Sequence, residues 1–306
     1  MQETNMKIRN PWLVIVWSLG LFVLMQVWQY LGALTASCMS GVTFESVISG
    51  KNNSSIIILA MGLIAAFVGI PLVIVIVKLL WRRSFSWMRC QLNGKHFLKG
   101  LLGGFILPIA ILALFIVSGN ATIIQFPSRF FALNLAAILF GSLGLTLFTA
   151  ISEEVVFRAM IVRELATKWN WLAASLLGGI IFGLMHLLSI LNKITLINAS
   201  WILLAAIIAS VLFTAMYVRF QSLWMPIGFH MGWNFCLKAI VGSTMSGKES
   251  IYGMFNFGLS GNTFITGGQF GIEASIVTML LYAIIAFFLT RKIGYRKIFL
   301  MKEKIY

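Results

Sequence analysis

Two adjacent glutamates, Glu153 and Glu154, follow a stretch of 23 residues, 130–152, that carries no charged side chain. The chain contains only eight acidic residues, all of them Glu. A charged side chain near the centre of a bilayer costs roughly 3 kcal/mol on insertion scales, so its presence there marks a candidate functional site. The glutamate pair is therefore the first place to look for chemistry.

Helical spacing separates the two glutamates into different roles. Glu154 and Arg158 are four residues apart, so they can form an ion pair on one face of a helix. Glu153 is displaced from Glu154 by about 100° around the helix axis. We therefore predict that Arg158 holds Glu154 while Glu153 faces His186, which lies on a later helix.

Two later segments carry further pairs at the same spacing, Phe182 with His186 and His230 with Asn234. One chemistry open to such residues is binding of a divalent metal such as zinc by Glu153, His186 and His230, with a free position for water. The other is metal-free. Glu153 and His186 would activate water as a general base, and His230 and Asn234 would stabilise the oxyanion formed in amide hydrolysis. The sequence leaves both open.

Each motif also has a purely structural interpretation. The glutamates could form an ion-pair cluster with Arg158 and Arg163, and a buried His or Asn could join neighbouring helices by hydrogen bonds. The three motifs together, at one level of a membrane, favour a functional site. Arg163 and Glu164 are expected on a solvated extension of the same helix.

Composition predicts an all-α, polytopic membrane helical bundle. The chain is 60% hydrophobic and 10% charged, with mean hydropathy +0.96, whereas soluble domains carry about 25% charged residues. A span needs about 20 apolar residues. We predict about eight transmembrane helices around a polar cavity that is accessible from the cytoplasm. The spans are 12–36, 56–77, 100–118, 131–167, 171–191, 199–218, 223–241 and 274–290.

Positions relative to the turns predict that the three motifs meet. The midpoint of Glu153 and His186 falls at residues 169–170, the expected turn between the fourth and fifth helices. Both side chains therefore lie roughly 25 Å from that turn. His230 lies roughly 12 Å beyond the following turn at residues 221–222. If the hairpin of the fourth and fifth helices protrudes from the membrane by a couple of helical turns, all three motifs lie at the same depth in the membrane.

The distribution of positive charge predicts orientation. Of 23 Lys and Arg residues, 18 fall in the terminal segments, in the loops on the same side or, for Arg158 and Arg163, on the extension of the fourth helix toward that side. Four fall in the opposite loops, and Lys238 lies within the seventh span. Positive residues favour the cytoplasmic side, so both termini are expected there. The net charge of +15 is explained by topology, and no nucleic-acid partner is expected.

The three motifs resemble those of the CPBP family, the CAAX protease and bacteriocin-processing group, also called Abi. Glu153-Glu154-x-x-x-Arg158, Phe182-x-x-x-His186 and His230-x-x-x-Asn234 match in order, spacing and helix placement over about residues 130–241. The Gly-rich segment 266–273 also looks like one common in bacterial members.

The resemblance implies an intramembrane endopeptidase in a bacterial plasma membrane, acting on a peptide or membrane-anchored protein within the lipid bilayer. It implies that Glu153, His186, His230 and Asn234 are catalytic. It further implies that Glu154 and Arg158 are supporting residues, and we place Phe182 with them. The family is named as metalloproteases, although a glutamate mechanism without metal has also been argued for it.

The expected organisation is one integral domain in three parts. Residues 1–129 hold the first three spans, 130–241 form the catalytic core with four spans, and 242–306 contain a Gly-rich loop, the eighth span and a basic tail. Two other functions remain open, a non-catalytic bacteriocin-immunity or membrane-protein-binding partner on the same fold, and a proton-coupled transporter. The transporter is disfavoured because few Pro or Gly residues interrupt the spans.

Overall fold

The structure is a computed structural model that describes residues 10–48, 55–81, 83–125, 132–188, 195–242 and 253–293. Helices dominate because a chain inside lipid must satisfy its backbone hydrogen bonds within each segment. The helices in chain order are α1 (Pro11–Ser40), α2 (Phe44–Ile48), α3 (Ser55–Ile64), α4 (Ile70–Ile76), α5 (Gly94–Val117), α6 (Ala132–Glu154), α7 (Arg163–Lys168), α8 (Trp171–Leu188), α9 (Leu196–Phe220), α10 (Trp224–Phe235), α11 (Thr263–Thr266) and α12 (Ile276–Ile293).

Wider π-helical turns interrupt or extend several of these helices. Ala65–Gly69 joins α3 to α4, and Val77–Trp81 follows α4. Val155–Val162 joins α6 to α7, so the chain remains helical from Ala132 to Lys168. Cys236–Val241 extends α10. The long fourth segment was predicted, and it is confirmed to continue well past Arg158.

Six helices in the described ranges are long and apolar enough to cross a membrane, which makes the chain an integral membrane protein. They correspond to the second to sixth and the eighth predicted spans: Ser55–Leu79, Gly94–Val117, Leu135–Lys168, Trp171–Leu188, Leu196–Phe220 and Ile276–Ile293. Predicted span residues 131 and 189–191 lie outside the described part of the chain.

The remaining two predicted spans are not among these six. Helix α1 covers the first of them, and its stretch Pro11–Leu24 is apolar. Residues 224–241 are helical but include His230, Asn234 and Lys238, which lower the hydropathy of this segment. The all-α bundle is confirmed, and the exact number of eight spans stays a prediction.

Glycines allow two helix pairs to pack backbone against backbone. A Cβ atom on Gly144 of α6 would overlap the backbone of Gly62 in α3. In the second pair, added Cβ atoms on Gly100 and Gly104 of α5 would overlap the backbone of α10, and those on Gly228 and Gly232 of α10 would overlap the backbone of α5. Small residues permit such close contact between membrane helices, and the α5–α10 contact fixes the helix that carries His230.

The segment 83–93, which precedes α5, packs against the start of α7, the end of α9 and the start of α10. Arg83 forms a buried bidentate ion pair with Glu164, with Nε–Oε1 and Nη2–Oε2 distances of 2.5 and 3.0 Å. Arg163 donates to the Tyr217 hydroxyl at 3.0 Å, and that hydroxyl donates to the Met88 carbonyl. The prediction that Arg163 and Glu164 are solvated is therefore wrong, because this segment supplies their partners and covers them.

A small antiparallel sheet at the opposite end of the bundle was not predicted. It pairs β1 (Ala121–Gln125) with β2 (Asn256–Leu259), with Ala121 opposite Leu259. The chain then passes through α11 and two 3₁₀ turns, Gly268–Phe270 and Ile272–Ala274, before α12. The indole of Trp201 donates to the Ala274 carbonyl at 2.7 Å, which fixes this connection against α9.

Candidate active site

The glutamate pair lies where α6 changes to the π-helical segment. Every residue from 151 to 167 is buried, so the pair is inside the protein and not at a helix end. Glu154 is fully buried, whereas Glu153 retains 8% of its surface. Isolated π-helical turns in α-helices are frequent at functional sites because they redirect side chains. The residual exposure makes Glu153 the more accessible of the two carboxylates.

Glu154 connects two partners with its two oxygens. Its Oε1 lies 2.9 Å from Nδ1 of His230, and its Oε2 lies 3.1 Å from Nε of Arg158. The ion pair with Arg158 agrees with the i, i+4 spacing in the sequence. The contact with His230 joins the first motif to the third, and sequence reasoning had assigned Glu154 to Arg158 alone.

Arg158 is completely buried and is held mainly by charge and aromatic rings. None of its side-chain nitrogens makes an aligned hydrogen bond with a described residue, although Nε is close to Glu154. Coulomb attraction does not need alignment, so the short distance still represents charge pairing. The guanidinium carbon lies 5.4 Å from the ring centre of Phe182 and 4.7 Å from that of Phe213. Aromatic faces at these distances attract a cation.

His230 lies between the two carboxylates. Its Nε2 is 3.7 Å from Oε2 of Glu153, on the opposite side of the ring from Glu154. An ionised carboxylate can only accept a hydrogen bond, so Glu154 fixes a proton on Nδ1 of His230. The Nε2 atom is therefore the one directed at Glu153. Phe213 stacks on the imidazole at 5.6 Å between ring centres and limits its rotation.

The two faces of α10 explain how His230 reaches the carboxylates. Gly228 and Gly232 form the face that packs against α5. His230 is two residues from each, which places it about 200° around the helix and so on the opposite face. Asn234 follows one turn later and is also buried. The structure thus places both members of the third motif on the inward side of α10.

His186 joins the site through Phe182. Its Nδ1 lies 2.9 Å from the Phe182 carbonyl oxygen, an acceptor, so Nδ1 carries the proton of the neutral ring and Nε2 has the lone pair. The two rings are 4.3 Å apart, and Phe182 also contacts Phe157 at 4.8 Å. Contacts therefore run from His186 through Phe182 and Arg158 to Glu154. Phe182 is part of the wall that connects the second motif to the first.

One region of the chain matches the model of a known protein family. Residues 135–236 match the family model "Type II CAAX prenyl endopeptidase Rce1-like". Residues 135–236 are therefore similar to the Rce1-like CAAX endopeptidases, and they are called the Rce1-like domain below. The match confirms the resemblance drawn from the motifs and contains every residue of the three motifs. Comparisons with curated proteins and with solved structures found no significant match.

The Rce1-like domain implies a protease, but its donor atoms do not show a metal site. In the described ranges, no group of three or more His, Cys, Asp or Glu side chains is arranged to hold a metal ion. The carboxylate and imidazole contacts instead pair His230 with both glutamates. The described side chains therefore do not fit a three-ligand metal site, and no chemical step below depends on one. Binding of zinc by Glu153, His186 and His230 stays a prediction that metal analysis can test.

Phe213 is the residue of the Rce1-like domain that sequence reasoning missed. Its ring packs against both Arg158 and His230. It lies on α9, which carries none of the motifs, and the chain contains 25 Phe residues. Nothing in the sequence distinguishes this phenylalanine from the others.

Proposed function

We propose that the protein is an intramembrane endopeptidase that hydrolyses a peptide bond in a membrane-associated peptide or protein. The observation that supports this most strongly is the buried chain of contacts Arg158–Glu154–His230–Glu153 within the Rce1-like domain. Carboxylates and imidazoles in a water-poor site can activate water and stabilise charge more strongly than they could in bulk water.

In this proposal Glu153 and His186 activate the water. Glu153 is the accessible carboxylate, and it takes the proton as the water oxygen attacks the peptide carbonyl. In the proposed step Nε2 of His186, which lies across the ring from the Phe182 carbonyl, accepts a second hydrogen bond from the water. The proton then passes to the leaving amine. General acid–base catalysis of this kind contributes about 10²–10⁴-fold to the rate.

His230 and Asn234 stabilise the developing oxyanion. When the His230 ring carries both protons, Nδ1–H is donated to Glu154 and Nε2–H is available to the oxyanion. The Asn234 amide, one turn away, supplies a second donor. Removing one such donor typically costs 10²–10³-fold in rate. Glu154 and Arg158 act through His230 and do not touch the substrate.

The experiment compares peptides released from membranes that contain the wild type or Glu153→Gln. We expect a set of peptides that disappears in Glu153→Gln and in His186→Ala and persists in Glu45→Gln, a control at an exposed glutamate. All variants are first shown to insert and to elute as the wild type does. If purified Glu153→Gln processes the same peptides at the wild-type rate, the proposal is wrong. A non-catalytic binding role would then explain the fold better.

We also propose that both termini face the cytoplasm, as the charge distribution predicts. The argument is the 18-to-4 bias of Lys and Arg between the two sides. Labelling of single cysteines from outside intact cells tests it. Reagents that do not cross membranes should leave a cysteine at Lys95 unmodified until the cells are opened.

A further inference from the structure

A groove lies between α8, α9 and α12, away from the candidate active site. Its volume is about 310 Å³, at the lower end of the range of about 300–1,000 Å³ typical of ligand pockets. The walls are almost entirely apolar. Each helix contributes to them: Trp171 and Leu176 from α8, Ile207 and Val211 from α9, and Ala283 and Phe287 from α12.

Helix α9 separates the groove from the glutamates. Val211 and Thr214 line the groove, whereas Phe213 packs on Arg158 and His230. The two sites therefore use different faces of one helix. A molecule in the groove does not contact the residues to which we assign catalysis.

Within the described residues of α8, α9 and α12, the formal charges are positive and those beside the groove lie at one end. No acidic residue occurs in α8, α9 or α12. Arg291 and Lys292 are exposed in the last turn of α12, and the Arg291 guanidinium carbon lies 5.8 Å from the ring centre of Phe287, which lines the groove. Trp171 and Thr290 both line the groove, so the start of α8 and the end of α12 are at this same end.

The surroundings decide which kind of molecule can occupy such a groove. All three helices are long and apolar enough to span a membrane, so the groove opens towards hydrocarbon. An unfilled apolar groove would lose dispersion contacts along its walls. The eight residues from Ala283 to Thr290 extend over about 10 Å of helix. A molecule that fits the groove therefore has an apolar chain of about this length and a negatively charged group beside Arg291.

We propose that the groove binds an anionic phospholipid, with one acyl chain against Ala283 and Phe287 and the phosphate at Arg291 and Lys292. The neutral walls accept the chain, and the cationic end selects the headgroup. Basic residues near an anionic lipid surface contribute about 1 kcal/mol each, which corresponds to roughly fivefold in affinity. The site is distinct from the proposed peptidase site and does not depend on that activity.

The test is native mass spectrometry of the full-length purified protein, titrated with phosphatidylglycerol or phosphatidylcholine of identical acyl chains. We expect one phosphatidylglycerol to bind at least fivefold more tightly than phosphatidylcholine. Arg291→Gln should reduce this preference about fivefold. Ala283→Trp should weaken both lipids, because the indole fills the groove. Ile284→Trp is the matched control, since Ile284 is exposed on α12 and does not line the groove.

Three outcomes would overturn the proposal. The first is equal binding of the two phospholipids by the wild type. The second is binding that Ala283→Trp and Ile284→Trp change equally. The third is displacement of the lipid by a lipid-modified peptide at stoichiometric concentration, which would identify the groove as a substrate site. Size-exclusion profiles and helical circular dichroism of each variant confirm that a loss of binding is not a loss of fold.

Discussion

Replacing each of the two adjacent glutamates by glutamine should separate a structural role from a catalytic one. Glu154 supplies the negative charge 3.1 Å from the fully buried Arg158. At that distance two unit charges attract by about 5 kcal/mol at an effective dielectric constant of 20. Removing one partner of a buried ion pair typically costs about 3–5 kcal/mol, because the other charge remains buried. We therefore expect Glu154→Gln to lower the free energy of unfolding by about 3 kcal/mol.

Glu153→Gln is the matched control, one residue away with the same chemical change. Glu153 lies 3.7 Å from Nε2 of His230 and retains some exposure, and the carboxylate in contact with the Arg158 guanidinium is that of Glu154. We expect a loss of less than about 1 kcal/mol, within the range of ordinary substitutions. The assay is unfolding of the purified protein by sodium dodecyl sulfate in mixed micelles, followed by circular dichroism.

A double variant strengthens the comparison. In Glu154→Gln with Arg158→Met, no buried charge remains unpaired, so much of the lost stability should return. Equal losses for the two single glutamine variants would refute this account of the ion pair. The account would also be refuted if the stability losses of Glu154→Gln and Arg158→Met simply added up in the double variant.

Three further predictions concern residues outside the site. Glu164→Gln leaves its arginine partner buried and should cost about 3 kcal/mol in the same unfolding assay; a change below 0.5 kcal/mol would contradict the buried ion pair. Burial raises the pKa of the Cys90 thiol to about 12. The thiolate is the reactive form, and at pH 8 only about one Cys90 in 10⁴ is ionised at any moment, so alkylation should be slow and its rate should rise about tenfold per pH unit. Mass spectrometry after iodoacetamide should thus find the exposed Cys38 modified and Cys90 intact at pH 8. Gly144→Ala should cost about 1–3 kcal/mol by overpacking against α3, whereas Gly20→Ala, with open space around it, should not destabilise.

The sequence predicts the parts of the site that depend on spacing along one helix. The i, i+4 rule placed Arg158 beside Glu154, and the structure contains that ion pair. The apolar lengths predicted the six membrane-length helices and the continuation of the fourth segment beyond Arg158. These features follow from helix geometry and from the cost of exposing backbone to lipid. Both depend only on the spacing and the apolar length of a segment, which can be read from a single sequence.

Contacts between distant segments were less predictable. The hydrogen bond from His230 to Glu154 joins residues 76 apart, and helical spacing cannot show which of two adjacent glutamates will face it. Arg163 and Glu164 have the composition of a solvated helix end. They are buried because Arg83 and its neighbours, 81 residues earlier than Glu164, fold over them. Tertiary packing decides whether such a helix end is buried, because the local sequence pattern is the same for a buried and a solvated helix end.

The backbone contact between α5 and α10 has a consequence for how a substrate could enter. A seam lined by side chains can open when rotamers change, and many gates in proteins work in this way. At Gly100 and Gly104 of α5, and at Gly228 and Gly232 of α10, the main chains themselves meet, so no side chain can swing aside. We therefore expect the α5–α10 seam to remain shut through a catalytic cycle. A substrate arriving from the bilayer would have to enter between other helices.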